Sequence, residues 1–264
     1  MTGTGPVAGA LEAAVPGAVT GPVAGAVLIT GASRGIGRAL AHRLALDGTP
    51  AVLWARDGGQ LDDVVRNFAD HGVPALGCAV DVGDPAAVRA AGHRLREHGF
   101  GLRAVVLNAG VGQWHPLLDH PHEVWTRTLA TNLQGAFSAV VELLPLLLAH
   151  GDGQLIGIGS DSGLTGLPDR AAYCASKWGL RGVLEVARAE HRDQGLRVTH
   201  VALGAVDTGF RTGVPGGRPG ALSAQAAADL VAWLLALPAG TEVREIHAAS
   251  TARPFGAAAA TEKE

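Results

Sequence analysis

From Ala26 onward, short apolar runs alternate regularly with longer stretches of helical period, and this constrains the fold more than any other feature. "AVLIT" (26–30) leads into "GIGRALAHRLALDG" (35–48), and "AVLWA" (51–55) into "QLDDVVRNFADHG" (60–72). "ALGCAV" (75–80) then precedes "PAAVRAAGHRLREHG" (85–99), completing one half. The second half runs through "RAVVLN" (103–108), a long helical region around 131–151, "QLIGIG" (154–159), a helix over 171–195 and "RVTHVAL" (197–203). A helix over 223–238 and a last strand near 242–248 close the pattern. Strands that each give way to a helix pair in parallel, with helices on both faces of the sheet. Right-handed crossovers make this a doubly wound α/β sheet of Rossmann type, within one domain over residues 26–250.

Residues 1–25 and 251–264 are expected to be flexible flanks. "TGPVAGA" occurs at 4–10 and again at 20–26, which suits compositional bias or a small docking tail better than a repeat architecture. The first 25 residues hold no Lys or Arg and are broken by three prolines, unlike a secretory signal. No apolar run approaches the roughly 18 residues of a membrane span, so no membrane partner is expected. A formal charge of −3 without a basic run argues against nucleic acid. Cys78 and Cys174 are far apart in sequence and form no CxxC, so neither a disulfide framework nor a zinc site is expected, and a reducing cytoplasm fits. His115, His120 and His122 read as solvated loop residues, because the segment is interrupted by prolines and has no HExxH pattern. No metal site is expected.

At the first strand-to-helix turn stands "TGASRGIG", Thr30 to Gly37, with glycines at 31, 35 and 37. Glycines there let backbone N–H groups approach a pyrophosphate at a helix N-terminus, although an ordinary turn can carry the same residues. Tyr173 is the only tyrosine in the 264 residues, and Lys177 lies four positions on. On a helix the two share a face, so the ammonium can approach the phenol and favour the phenolate; a surface pair at that spacing can also simply stabilise a helix.

In this order the motifs resemble the short-chain dehydrogenase/reductase family over about residues 26–250. "TGASRGIG" is similar to its cofactor loop, "NAG" (Asn108, Ala109, Gly110) to its fourth-strand motif, "TNLQG" to the segment carrying its helix asparagine, and "YCASK" to its YxxxK pair. Ser160 lies 13 positions before Tyr173, the family's interval for its catalytic serine; Ser162, at 11, is the local rival. The resemblance implies a catalytic set of Asn132, Ser160, Tyr173 and Lys177. Tyr173 would give and take the proton, Ser160 would supply a second hydrogen bond to the reacting oxygen, and Asn132 would hold a water linking Lys177 to solvent. The cofactor would be contacted by Gly31, Ser33, Arg34, Gly35, Ile36, Gly37, Arg56, Asp81, Val82, Asn108, Ala109, Gly110, Tyr173, Lys177, Gly204, Val206 and Thr208. Within that set Asp81 resembles the adenine-holding residue, Val206 and Thr208 those at the carboxamide, and Lys177 also reaches the ribose. Asn108 is expected mainly to tie strands together, and Cys174 to be a buried packing residue.

NAD-preferring relatives carry an acid at the end of the second strand, where this chain has Ala55 followed by Arg56. With Arg34 in the glycine loop, that implies NADP(H). Asp57 reads as a helix N-terminal acid. The sequence departs from the family pattern at Gly157 and Gly159, which suggest a pliant loop before Ser160, and at Leu203–Gly204, where proline-glycine is usual. Substrate loops are expected at 110–118 and at 209–222, the second a glycine-rich lid, with Trp114, Leu164, Phe210 and Val214 as apolar contacts. Arg211 and Arg218 would meet a carboxylate or a phosphopantetheine arm, or else be solvated. The expected activity is NADPH-dependent reduction of a ketone or other carbonyl. The alternatives are an NAD-dependent alcohol dehydrogenase on the same residues and a non-catalytic nucleotide-binding sensor or scaffold. Excess apolar residues at 133–150 and 172–192 point to a homodimer or homotetramer.

Overall fold

The computed structural model describes residues 22–211, 213–253 and 255. Seven parallel strands form the central sheet: β1 (Val23–Thr30), β2 (Ala51–Ala55), β3 (Ala75–Ala79), β4 (Phe100–Leu107), β5 (Gln154–Ile158), β6 (Arg197–Leu203) and β9 (Glu245–Ala248). Their spatial order is β3-β2-β1-β4-β5-β6-β9, so the direction of winding reverses between β1 and β4. A short parallel pair, β7 (Val206–Asp207) and β8 (Leu222–Ser223), frames the loop after β6.

Strand residues alternate between two cores. Val27 and Ile29 of β1 with Ala104 and Val106 of β4 face α1 (Gly35–Leu46), α2 (Gly58–Asp70) and α7 (Ala224–Leu235). Ala26, Leu28, Val105 and Leu107 face the opposite way, toward α3 (Pro85–Glu97), α5 (Gly135–His150) and α6 (Ala171–His191). The inner strands β2, β5 and β6 are buried on both faces almost throughout, so they read as nearly continuous apolar runs, whereas the edge strands β3 and β9 are partly exposed. The helices show the complementary stripe: α2 buries Leu61, Val64, Val65 and Phe68, spaced three, one and three apart. Side chains cap several of them. Asp57 accepts from the Gln60 N–H at 3.0 Å, Asp84 precedes Pro85 and accepts from Ala86, and Ser223 accepts from Ala226.

Three boundaries differ from the sequence reading. β1 begins at Val23, because the Val23 N–H reaches the Gly99 carbonyl at 3.0 Å and pairing with β4 shifts register before Ala26. β4 likewise begins at Phe100. Beyond Ser250, Ala252 and Arg253 pack onto the loop near Gly220, so the ordered part extends past the expected end of the domain. The flexible flanks expected at 1–25 and 251–264 otherwise fall mostly outside the described residues.

The long helical region is α4 (His122–Leu129), a π turn over Ala130–Gln134, and α5. By length and composition this His122–His150 run could cross a membrane, contrary to the expectation that no apolar run approaches that length. In the fold, Ala139, Leu143 and Leu147 of α5 instead lie in the core against the sheet, and Glu142 pairs with Arg96 of α3 at 2.6 Å.

Candidate active site

The carboxyl ends of β1 to β6 open into a cleft of about 530 Å³ across the point where winding reverses. That is where doubly wound sheets bind ligands. Between β1 and α1, Gly31 adopts a left-handed φ of 68°, and a Cβ there would come within 2.9 Å of the Ala109 Cα. Gly37 lies behind the loop, where a Cβ would meet the Gly31 carbonyl oxygen at 2.3 Å and the Asn108 amide at 2.6 Å. Asn108 ties the two strand ends together, donating from Nδ2 to the carbonyls of Thr30 (2.9 Å) and Gly31 (3.1 Å). The first turn of α1 has no side-chain cap, and Gly35 and Ile36 line the cleft.

Ser33, Arg34, Arg56, Val82, Asn108, Ala109, Gly110, Gly204, Val206 and Thr208 also line the cleft. Two of the cofactor candidates do not: Gly37, which packs beneath the loop, and Asp81, whose carboxylate accepts from the Gly83 N–H at 2.9 Å. Asp57 is committed to capping α2, so Arg56 is the first charged residue after β2 that lines the cleft.

Ser160 follows β5, and Tyr173 and Lys177 lie in the first two turns of α6; all three line the cleft. Lys177 is 4% exposed, donates from Nζ to the Ile158 carbonyl at 2.8 Å and lies 5.7 Å from the Tyr173 ring centroid. Burial lowers its pKa to about 8. The Tyr173 phenol moves the other way, up to about 12, because burial outweighs the lowering effect of a hydrogen bond with Ser160. The expected shift toward the phenolate rests on Lys177 together with the positive nicotinamide ring, and the protein groups alone act in the opposite sense. The ammonium is held at a backbone carbonyl and has itself lost solvation, so the protein alone keeps Tyr173 a neutral phenol.

Asn132 is buried in the π turn rather than lining the cleft. Its amide clamps Val111, accepting from the N–H at 2.8 Å and donating to the carbonyl at 2.9 Å, and also donates to Ser176 Oγ at 3.1 Å. Ser162 is buried and outside the cleft lining, so of the two candidates it is Ser160 that lines the cleft. Gly157 and Gly159 make way for side chains rather than a pliant loop. A Cβ on Gly157 would meet Leu184 Cδ1 at 2.4 Å, and one on Gly159 would meet the His200 ring at 2.1 Å. His200 is buried and hydrogen-bonds to Glu245 at 2.9 Å.

Trp114 and Phe210 line the cleft and stack around Tyr173, with centroid separations of 5.5 and 5.9 Å; Leu164 and Val214 are not part of the lining. His115 and His120 are half-buried and stack at 5.6 Å, and among the described residues no metal-binding cluster forms. Cys174 is half-buried rather than buried. The sequence reading missed Asp161, Arg170, Ala252 and Arg253, all of which line the cleft. Arg170 stands three residues before Tyr173, a position that could have flagged it; nothing local marks Arg253.

A family model for short chain dehydrogenases matches residues 25–216. The chain belongs to the short-chain dehydrogenase/reductase family and is an oxidoreductase. It is 32% identical over 180 residues to the 3-oxoacyl-acyl-carrier-protein reductase FabG of Staphylococcus aureus, covering 68% of this chain and 73% of that one. It is 33% identical over 181 residues to the glycine betaine reductase ATRR of Emericella nidulans, covering 69% of this chain but only 14% of that much longer protein. Among solved structures, an alcohol dehydrogenase from the archaeon Thermococcus sibiricus complexed with 5-hydroxy-NADP superposes with a TM-score of 0.83 at 29% identity, over 88% of this chain and 98% of that one. A metagenomic short-chain oxidoreductase in complex with NADP gives 0.73 at 33% identity, over 85% and 96%.

Proposed function

We propose that this oxidoreductase uses NADPH to reduce a ketone to an alcohol, with Tyr173 as the proton donor. The observation that carries the reading is the meeting of Ser160, Tyr173 and Lys177 in a cleft that also holds Arg34 and Arg56. Arg56 follows β2 and Ser160 follows β5, with β1 and β4 between them. Three strand spacings, about 14 Å, separate the two groups, which suits an extended dinucleotide lying across the strand ends.

The residues fit such a cofactor. The left-handed Gly31, the N-terminus of α1 without a side-chain cap and the lining residues Gly35 and Ile36 suit a pyrophosphate. Arg34 and Arg56 suit the 2′-phosphate, and Val206 and Thr208 the carboxamide. When bound, NADPH supplies the hydride. As negative charge grows on the substrate oxygen, the neutral Tyr173 phenol donates its proton to it. Ser160 donates a second hydrogen bond once its hydroxyl turns from the Asp161 carboxylate, which it contacts at 2.8 Å. The Lys177 ammonium restores the proton to Tyr173, and Asn132 holds the Val111 turn in place beside the site.

A panel of carbonyl compounds assayed with NADPH and with NADH tests the reading. NADPH oxidation with at least one ketone is expected, together with its loss in Tyr173→Phe; unchanged kcat in that variant would exclude the assignment. Arg34→Ala with Arg56→Ala should raise the KM for NADPH at least about tenfold more than that for NADH, since each charge-assisted bond contributes about 1.5–3 kcal/mol. Equal use of both nucleotides by the wild type would favour the NAD-dependent alternative. Binding of NADPH without turnover across the panel would favour the sensor.

A further inference from the structure

The chain carries a formal charge of −3, yet the cleft walls hold six arginines and Lys177 against one carboxylate, Asp161, among the described residues. Arg34 and Arg56 belong to the nucleotide end. Four others, Arg170, Arg211, Arg218 and Arg253, have no part in the chemistry assigned above. Two of them lie against the Trp114 ring that neighbours Tyr173. Arg170 and Arg211 each place the guanidinium carbon 5.7 Å from the Trp114 ring centroid, and that ring is 5.5 Å from Tyr173.

Arg170 is the more telling, because its side chain is only 15% exposed and its charge is poorly matched. Its one carboxylate neighbour, Asp161, is 3.7 Å away. That carboxylate is engaged elsewhere, accepting from Ser160 Oγ at 2.8 Å and from the Ser162 N–H at 2.7 Å. The Arg170 guanidinium donates a hydrogen bond to Ser162 Oγ at 3.3 Å. The guanidinium lines the cleft with one long hydrogen bond and one long ion pair, so it has donors left to meet a further anion there. The backbone presents it deliberately: Asp169, just before it, is the one described non-glycine residue with a left-handed φ, 62°. The Asp169 carbonyl accepts from His115 at 2.9 Å, and Arg170 bridges to His115, which fixes the guanidinium beside the Trp114 segment.

We propose that Arg170, with Arg211 at the same Trp114 ring, forms a carboxylate subsite that selects short oxo acids as substrates, the carboxylate standing a few bonds from the ketone. A guanidinium fork matches a planar carboxylate. The site lies one indole ring from the phenol, so the carboxylate and the reacting carbonyl belong to one small molecule. Arg170 is then a specificity-determining residue in the reaction proposed above, on which this inference rests.

The test compares 3-oxobutanoate and 4-oxopentanoate with their methyl esters, which keep the ketone and lose the charge. With NADPH, kcat/KM for each acid should exceed that for its ester at least about tenfold, and Arg170→Gln should collapse that ratio through the KM for the acid. Arg170→Lys should restore part of it. Equal use of acid and ester by the wild type, or a variant that slows both in proportion, overturns the subsite. Calorimetric titration with malonate, an unreactive dicarboxylate, supplies a readout without turnover. Binding that is lost in Arg170→Gln sustains the proposal, and absence of binding to the wild type overturns it. If neither acid nor ester is reduced, the reductase reading fails while the malonate titration still decides the subsite. Should Arg170→Gln fail to fold, the same ratio and titration are read in Arg211→Gln, where an unchanged acid preference counts against the proposal.

Discussion

Lys177 and Tyr173 show how burial prepares two titrating groups in opposite senses. Desolvation lowers the lysine to about 8 and raises the phenol to about 12, so near pH 7 the ammonium and the neutral phenol coexist. That is the protonation state the proposed carbonyl reduction would need, with Tyr173 loaded as donor and Lys177 charged as its proton source. Lys177 loses its proton as pH rises through its lowered value, while Tyr173 keeps its own until far higher. The rate of reduction should therefore be flat near pH 7 and fall by about one log unit per pH unit above about 8. A kcat profile measured between neutral pH and pH 10 checks this, and a flat profile to pH 10 would rule out Lys177 as the proton source.

At the scale of the elements, the end of β5 and the middle of β6 are built around one close approach. The buried His200 ring, tied to Glu245 of β9, occupies the space that a side chain at Gly159 would need. Gly159 directly precedes Ser160, so a methyl group there would press the strand end out of line. Gly159→Ala should lower stability by about 1–3 kcal/mol through overpacking, and reduce kcat by displacing Ser160. His200→Ala should also destabilise, since it empties the space of a buried ring and removes one partner of Glu245, which keeps Arg181 and His247. The double variant should cost less than the two single changes added together, because the new methyl fills part of the vacated space. Denaturant unfolding of the four proteins measures that coupling, and strict additivity would refute the account.

Across the whole molecule, the face formed by α5 and α6 carries more apolar surface than the fold covers. Phe137 and Val141 on α5 and Trp178 and Val186 on α6 are all about half exposed or more, on two helices that pack side by side. An exposed apolar patch of this kind on paired helices suits a second copy of the chain. Sedimentation at micromolar concentration should report a homodimer or homotetramer, and Val141→Glu with Val186→Glu should shift it toward monomer. A wild-type monomer under those conditions would count against this surface as an interface.

Much of this was legible in the chain itself, because it depends on local spacing. Strand and helix order follows from the period of apolar residues, and the approach of Tyr173 and Lys177 follows from four positions on a helix. The capping role of Asp57 follows from its place before α2. Where glycine interrupts a strand, as at Gly25 and Gly101, the local pattern fades, and only pairing with a neighbouring strand shows that β1 and β4 begin earlier. The same limit applies in the site. Arg253 enters the cleft from more than 200 positions beyond the glycine loop, and the ring that requires a glycine before Ser160 comes from position 200. The direction of the Tyr173 shift was also decided in three dimensions: a phenol's pKa sums desolvation and charge over every group packed around it, and a spacing of four residues records only one of them.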